Sequence, residues 1–221
     1  MVMHLHEFLR HLHDILKPQV YLEVGVQYGT SLALAKHSRV AIGVDPNPLV
    51  WGSNHHQDNQ ELYAVESDEF FAKMSAHIPK VDLGFIDGLH LFEQALKDFI
   101  NLEQVMKEDG IIVFDDVLPY SQAIAEREQP PGDWTGDVWK VIPILRRWRP
   151  ELKMSLINTA PTGTLVVTGV YDRVPKWDYY QKAIVPWFQS DEVPQAILGR
   201  WEAHEPTEFL EGLRAAREKT E

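Results

Sequence analysis

The sequence contains no cysteine. Disulfides, thiolate nucleophiles and zinc–thiolate centres are thereby excluded, and the absence fits a reducing compartment. No apolar run approaches the roughly 20 residues that cross a bilayer. Met1 to Lys17 interleaves His4, His6, Glu7, Arg10, His11, His13 and Asp14 with its apolar residues. The unbroken apolar stretch of a signal peptide is therefore missing, and the expectation is a cytoplasmic protein with no membrane partner. Basic residues are few: 21 Lys and Arg against 33 Asp and Glu, a net charge of −12. A surface that acidic repels phosphate backbones, so nucleic acid is not the expected partner. Low-complexity segments and internal repeats are absent as well.

What is present is a globular chain of 221 residues, 44% hydrophobic, long enough for one domain and an appendage. Leu5, Phe8, Leu9, Leu12, Ile15 and Leu16 fall at helical spacing and predict an amphipathic cap helix whose histidines face solvent. Gln19 to Gly25 reads as a buried strand, followed by a helix over about Ser31 to Lys36. Val40 to Asp45, Leu62 to Val65, Leu83 to Ile86 and Ile111 to Phe114 read as further strands. A helix carrying Phe70, Phe71 and Met74 precedes the fourth strand. A long one over Leu91 to Met106, stopped by Gly110, precedes the fifth. Strand–helix alternation with continuously apolar strands predicts an α/β fold: a Rossmann-like, doubly wound, mostly parallel sheet with helices on both faces.

After Pro119 the pattern changes. Glu126 to Asp133 contains Pro130-Pro131-Gly132 and reads as a loop. Val138 to Trp148 reads as helical, with Pro143 either a kink or a sign of a late start. Leu152 to Ile157 and Thr164 to Val170 flank a turn around Pro161, a hairpin that gives the sheet a final antiparallel strand. The division expected is a domain over 1–174 and a helical extension over 175–221. That extension is dense in aromatic residues and packs on the domain or on a second subunit, and the reading is a homodimer.

In open α/β sheets ligands bind beyond the C-terminal strand ends, where strand order reverses. Glu23, Asp45, Asp87, Asp115 and Asp116 all fall at such ends. Gly25 and Gly29 permit a tight turn close to a ligand. Asp45, 20 residues after Gly25, can accept the hydroxyl hydrogens of a ribose. The spacing E-x-G-x-x-x-G is neither the dinucleotide fingerprint nor a phosphate loop, and the Glu23 carboxylate would repel a pyrophosphate. It suits a ligand with ammonium and sulfonium charge, which points to S-adenosylmethionine.

At these residues the sequence resembles the class I S-adenosylmethionine-dependent methyltransferases, over about Val20 to Val170. Leu22-Glu23-Val24-Gly25 through Gly29 is similar to their first motif and Gly43-Val44-Asp45 to their second. Phe85-Ile86-Asp87-Gly88-Leu89-His90 and Val113-Phe114-Asp115-Asp116-Val117 resemble the subgroup that includes macrocin O-methyltransferase and related metal-dependent sugar and natural-product O-methyltransferases.

The resemblance implies methyl transfer to a hydroxyl of a small-molecule acceptor. It implies a cofactor site of Glu23, Gly25, Gly29, Ser31, Asp45, Ser67, Asp68 and Asp87. It further implies a divalent metal (Mg²⁺, Mn²⁺ or Ca²⁺) at Asp87, Asp115 and Asp116, with Asp87 and Asp115 the better ligands, and His90 as general base. Each residue has a plainer alternative. Asp45 is otherwise a turn residue, Glu23 a buried structural carboxylate, Asp68 a helix N-cap, the three aspartates loop caps, and His90 a helix-start histidine. Trp134 or Trp139 covers an acceptor ring, or Thr135 is an N-cap and Trp139 core. His55 and His56 read as solvated loop residues. The competing classes are a nicotinamide-dependent oxidoreductase and a non-catalytic S-adenosylmethionine-binding protein.

Overall fold

The computed structural model describes residues 2–50, 57–170, 177–190 and 192–219. Seven strands, β1 (Val20–Val24), β2 (Val40–Val44), β3 (Gln60–Tyr63), β4 (Val81–Ile86), β5 (Met106–Phe114), β6 (Lys153–Ile157) and β7 (Thr164–Thr168), form one sheet in the order β3-β2-β1-β4-β5-β7-β6. β7 alone runs against the others, since it pairs antiparallel with both β5 and β6. All five residues of β1 are buried, as the continuous apolar strand of a doubly covered parallel sheet requires.

The chain first winds outward from β1 to β2 and β3, then crosses back to β4 on the other side of β1. That reversal opens a crevice at the ends of β1 and β4. One face of the sheet is covered by α2 (Ser67–Met74), α3 (Phe92–Val105) and α4 (Val141–Trp148), through Phe70, Phe92, Phe99 and Leu145 among others. Each of those buried side chains contributes about 1.5–3 kcal/mol. α3 presents its stripe at the predicted spacing, with Phe92, Ala95, Leu96 and Phe99 all buried.

The other face is covered by α1 (Leu5–Leu16) and by α7 (Pro206–Glu218) of the C-terminal extension, whose Leu210 joins the core with Phe8, Leu9 and Leu12. Two shorter helices, α5 (Tyr180–Ile184) and α6 (Gln195–Leu198), link α4's layer to the rim. Among the described residues no helix is long and apolar enough to cross a membrane.

Four expectations need correction. The helix over Ser31 to Lys36 is a single 3₁₀ turn, Leu32–Leu34. α1 already covers that face, packing with Leu32, Ala35 and Ala41, so a longer helix has nothing left to bury. Gly110 does not stop α3. The helix ends at Val105, and Gly110 lies inside β5, where the register shifts between the Val81–Met106 and Leu83–Ile111 pairs and the intervening residues bulge. Not all α1 histidines face solvent: His13 is 1% exposed, its ring edge-on to Tyr21 at 4.7 Å. Thr135 caps no helix. Its hydroxyl donates to the carbonyls of Ile124 and Gly136 at 3.0 Å each. Pro143 sits in the first turn of α4, where its missing N–H has no partner to lose.

Candidate active site

The strand ends at the reversal open into a cleft of 1130 Å³. Its floor is the turn after β1. Gly25, at φ +87°, donates to the Val44 carbonyl at 2.9 Å. A Cβ at this position would lie 1.9 Å from the Asp87 carbonyl oxygen, so only glycine lets β1 and β4 approach this closely. Asp45 organises the same turn. Its Oδ2 accepts the N–H groups of Val26 and Gln27 at 2.9 Å each, and its Oδ1 accepts that of Asn47 at 2.7 Å. Oδ2 thus holds two donors and Oδ1 one, which leaves an acceptor site on Oδ1, so Asp45 serves the turn and remains able to meet a hydroxyl in the cleft.

Glu23 lies beneath the turn, fully buried, and accepts the hydroxyls of Tyr21 and Ser31 at 2.7 Å each. Burial pushes its carboxyl up to about 8; those two bonds oppose the shift, and the charges of Asp87 and Asp45 add to it. Ser31 lines the cleft, whereas Glu23 and Gly29 support it from behind. Further along the wall, the Ser67 hydroxyl donates to Asp98 at 2.6 Å, and the Gln94 amide reaches the same Asp98 oxygen at 3.1 Å. Asp98 is 1% exposed. Burial lifts its carboxyl to about 6 against the pull of those two bonds. Asp68 caps no helix. It pairs with Lys97 of α3 at 3.0 Å, and Glu66 precedes α2 without a side-chain cap.

At the far end, Asp87, His90 and Asp116 converge, one ligand atom from each lying within 4.8 Å of the others. His90 Nε2 is 3.2 Å from Asp116 and 3.5 Å from Asp87. Its Nδ1 donates to the Trp134 carbonyl at 2.8 Å, and its ring stacks on the Trp134 indole with centroids 4.9 Å apart. The loop carrying Trp134 comes this close because Gly136, at φ +53°, passes the His90 backbone where a Cβ would meet the carbonyl oxygen at 1.7 Å. Burial pulls the imidazole down, yet the bond to Asp87, the charges of Asp116 and Asp87, and the Trp134 carbonyl outweigh it and hold His90 up at about 9. The expected general base thus carries a proton of its own at neutral pH.

The group that converges differs from the expected metal set of Asp87, Asp115 and Asp116. Asp115, ranked above Asp116 from the sequence, continues the sheet: its N–H donates to the Ile86 carbonyl at 3.1 Å. Its Oδ1 is enclosed without a hydrogen-bond partner among the described residues, and burial with the charges of Asp116 and Asp87 drives its carboxyl well up. Asp116, at φ +62°, leaves the strand direction and aims at His90 instead. Burial raises Asp116 to about 7, with His90 opposing.

Trp139 is core, 1% exposed, whereas Trp134 lines the cleft. His4 and His6 line it too, because the N-terminal segment pairs with the β6–β7 turn: Leu5 donates to the Ala160 carbonyl at 3.2 Å and Ala160 to that of Met3 at 2.9 Å. The sequence reading missed Asp98, Asp133 and this wall. Asp98 alone had a local signal, an acid four residues after Gln94 on the packed side of α3. His55 and His56 lie outside the described residues.

Residues 22–117 match a family described as a methyltransferase domain. An uncharacterized protein of Acanthamoeba polyphaga mimivirus is 29% identical over 115 residues, 45% of this chain and 52% of that protein. The match thus spans about half the length of that curated relative. An O-methyltransferase from Bacillus cereus, solved in complex with SAH, superposes with a TM-score of 0.56 at 15% identity, covering 75% of this chain and 80% of that one. The O-methyltransferase TomG from Streptomyces achromogenes, in complex with SAM, gives 0.56 at 14% identity over 75% and 79%. The chain therefore shares the fold of these two O-methyltransferases, and its segment from β1 to the turn after β5 matches the methyltransferase-domain family.

Proposed function

We propose that the protein transfers the methyl group of S-adenosylmethionine to a hydroxyl of a small molecule of the sugar or natural-product type. The observation that carries this reading is one continuous cleft. It joins the Gly25 turn and Asp45 at one end to the Asp87–His90–Asp116 group at the other. Asp45 and the turn receive the ribose, Ser31 and Glu23 lie under the amino-acid end of the cofactor, and Ser67 and Asp68 flank the adenine. Among the described residues no Lys or Arg lines the cleft, which suits a cationic cofactor and opposes a pyrophosphate.

The acceptor hydroxyl lies against Asp87, His90 and Asp116. Two carboxylates and an imidazole nitrogen form a mixed oxygen–nitrogen donor set: the carboxylates suit Mg²⁺ or Mn²⁺, and the borderline imidazole favours Mn²⁺ of the two. His90 is oriented as ligating histidines are, with its far nitrogen donating to a carbonyl. Bound there, a divalent cation would polarise the acceptor oxygen and lower its pKa. Asp87 and Asp116 orient the hydroxyl, Trp134 excludes water from one side, and His90 holds a proton at Nδ1 for the Trp134 carbonyl. The enzyme's main contribution is alignment of donor and acceptor for in-line displacement.

Calorimetry with S-adenosylhomocysteine and, separately, with NAD tests this. Binding of the former alone is expected; binding of NAD alone would transfer the chain to the oxidoreductases. Cofactor binding with no turnover across a broad acceptor panel would favour a binding protein. The reading also has the chain working as a homodimer through the aromatic residues of its extension, of which Trp201 is 73% exposed. A concentration-independent monomer mass in light scattering would count against it.

A further inference from the structure

We propose that Asp98 of α3 reads the exocyclic amine of the cofactor's base and makes the cleft select a 6-aminopurine over a 6-oxopurine. The inference rests on the proposed cofactor site, where Ser67 and Asp68 flank the adenine, and adds the residue that sets the identity of the base.

Asp98 is 1% exposed, yet it lines the cleft. Both of its hydrogen bonds fall on one oxygen. The Ser67 hydroxyl donates to Oδ1 at 2.6 Å and the Gln94 amide to the same atom at 3.1 Å. Oδ2 accepts no hydrogen bond among the described residues. It lies 3.7 Å from where a Cβ on Gly88 would stand, and Gly88 lines the cleft as well. Glycine at the end of β4 therefore leaves Oδ2 uncovered on that side. A carboxylate this deeply buried ordinarily fills its acceptor sites. A ligand carrying an N–H donor would complete this one.

The neighbouring side chains are turned the same way. The single Ser67 hydroxyl hydrogen is committed to Asp98. Gln94 directs its NH₂ at Ser67 (3.2 Å), Asp68 (3.3 Å) and Asp98, which leaves its carbonyl oxygen as the group it can offer. Ionised Asp68 and Asp98 are acceptors only. The side chains of this wall thus meet a base with acceptors and no donor. Adenine presents N–H at position 6, whereas a 6-oxopurine presents lone pairs. The oxo base would lose a charge-assisted bond and set its oxygen against a carboxylate.

The test is calorimetry on the full-length protein at pH 8, where Asp98, lifted by burial only to about 6, is ionised. S-adenosylhomocysteine is compared with S-inosylhomocysteine, its 6-oxopurine counterpart. The first is expected to bind about 100-fold more tightly, the worth of one charge-assisted bond out of water. Asp98→Asn keeps the shape of the side chain. Because Ser67 and Gln94 both donate at the Oδ1 position, they hold the new amide oxygen there and turn its NH₂ toward the base. S-adenosylhomocysteine should then weaken about tenfold and S-inosylhomocysteine tighten, so that their ratio falls below about 10. A merely structural role for Asp98 would weaken both ligands by the same factor and leave the ratio unchanged.

Affinities within about threefold of each other in the parent protein would overturn the inference, and that measurement needs no variant to fold. An unchanged ratio in Asp98→Asn would overturn it too. Either result, with S-adenosylhomocysteine bound, leaves the methyltransferase reading standing. Failure of the parent protein to bind S-adenosylhomocysteine would sink both.

Discussion

The Arg200 guanidinium donates to the Leu118 carbonyl at 3.0 Å, tying the C-terminal extension to the loop that carries Asp116. The same side chain reaches the carbonyls of Pro161 and Thr159 and the Asn158 amide oxygen. Leu118 in turn donates to the Thr162 carbonyl at 2.7 Å, and Thr162 hydrogen-bonds both Asp115 and Asp116. A residue of the extension therefore braces the acidic end of the cleft. Arg200→Ala removes the donor to the half-buried Leu118 carbonyl and Asn158 amide oxygen and should lower stability by about 1–3 kcal/mol. Arg200→Lys should recover only part, because an ammonium cannot fork between the two loops. Urea unfolding of the two variants measures this; equal midpoints for Arg200→Ala and the parent would refute the brace.

Asp45→Ala should weaken S-adenosylhomocysteine on the order of 1–3 kcal/mol, through a lost ribose contact and a loosened turn. Asp45→Asn partly separates the two effects, since its one amide oxygen can still accept the N–H groups of Val26 and Gln27 but no longer that of Asn47. Calorimetry that finds unchanged affinity in folded Asp45→Ala would remove Asp45 from the cofactor site.

Gly25→Ala forces a Cβ into the Asp87 carbonyl and a left-handed conformation on a residue with a side chain. Parting β1 from β4 should cost more than about 3 kcal/mol, read as a fall in melting temperature, together with loss of cofactor binding. A variant with parental stability would mean that the approach of the two strands is looser than described.

Methyl transfer should be lost on chelation and return with Mg²⁺ or Mn²⁺. Asp87→Asn and Asp116→Asn should each reduce Mn²⁺ affinity by about 10–100-fold, the usual penalty for disturbing a metal site, whereas Asp115→Asn should change it little. Full turnover in metal-free buffer would take the cation out of the reaction. If Asp115→Asn matched the other two, the ligand set read from the sequence would be restored.

His13 is enclosed, neither ring nitrogen has a hydrogen-bond partner among the described residues, and burial lowers its pKa from 6.5 to about 4, with His37 adding to the fall and Asp14 opposing it. The folded value lies below the unfolded one, so the unfolded chain takes up the proton first. Stability present above pH 6.5 is lost as pH falls toward about 4, on the order of 3 kcal/mol over that window. His13→Leu should flatten this part of a pH series of urea midpoints; an unchanged slope would assign the acid sensitivity to other groups.

The strands were legible because a doubly covered parallel sheet demands unbroken apolar runs, and Val40 to Val44 and Val81 to Ile86 are nearly that. α3 was legible because its apolar residues repeat at helical spacing. The segment after Gly29 was not. Its apolar residues fit a helix equally well, and only the prior occupation of that face by α1 reduces it to one turn. Asp68 and Thr135 looked like N-caps by local pattern, but their partners are Lys97, twenty-nine residues away, and the Ile124 carbonyl across a loop.

By itself the sequence determined that the sheet is mostly parallel, that carboxylates stand at the ends of its parallel strands, and that a glycine turn lies beside the first of them. Those features depend on residue type and short-range spacing, which the chain carries everywhere along its length. Only the tertiary structure decided which carboxylates lie together. Asp115 and Asp116 are neighbours in sequence, yet the left-handed backbone at Asp116 turns it toward His90 while Asp115 continues along the sheet. Grouping is a property of direction, and direction is set by contacts with Thr162 and, through Leu118, with Arg200, far away along the chain.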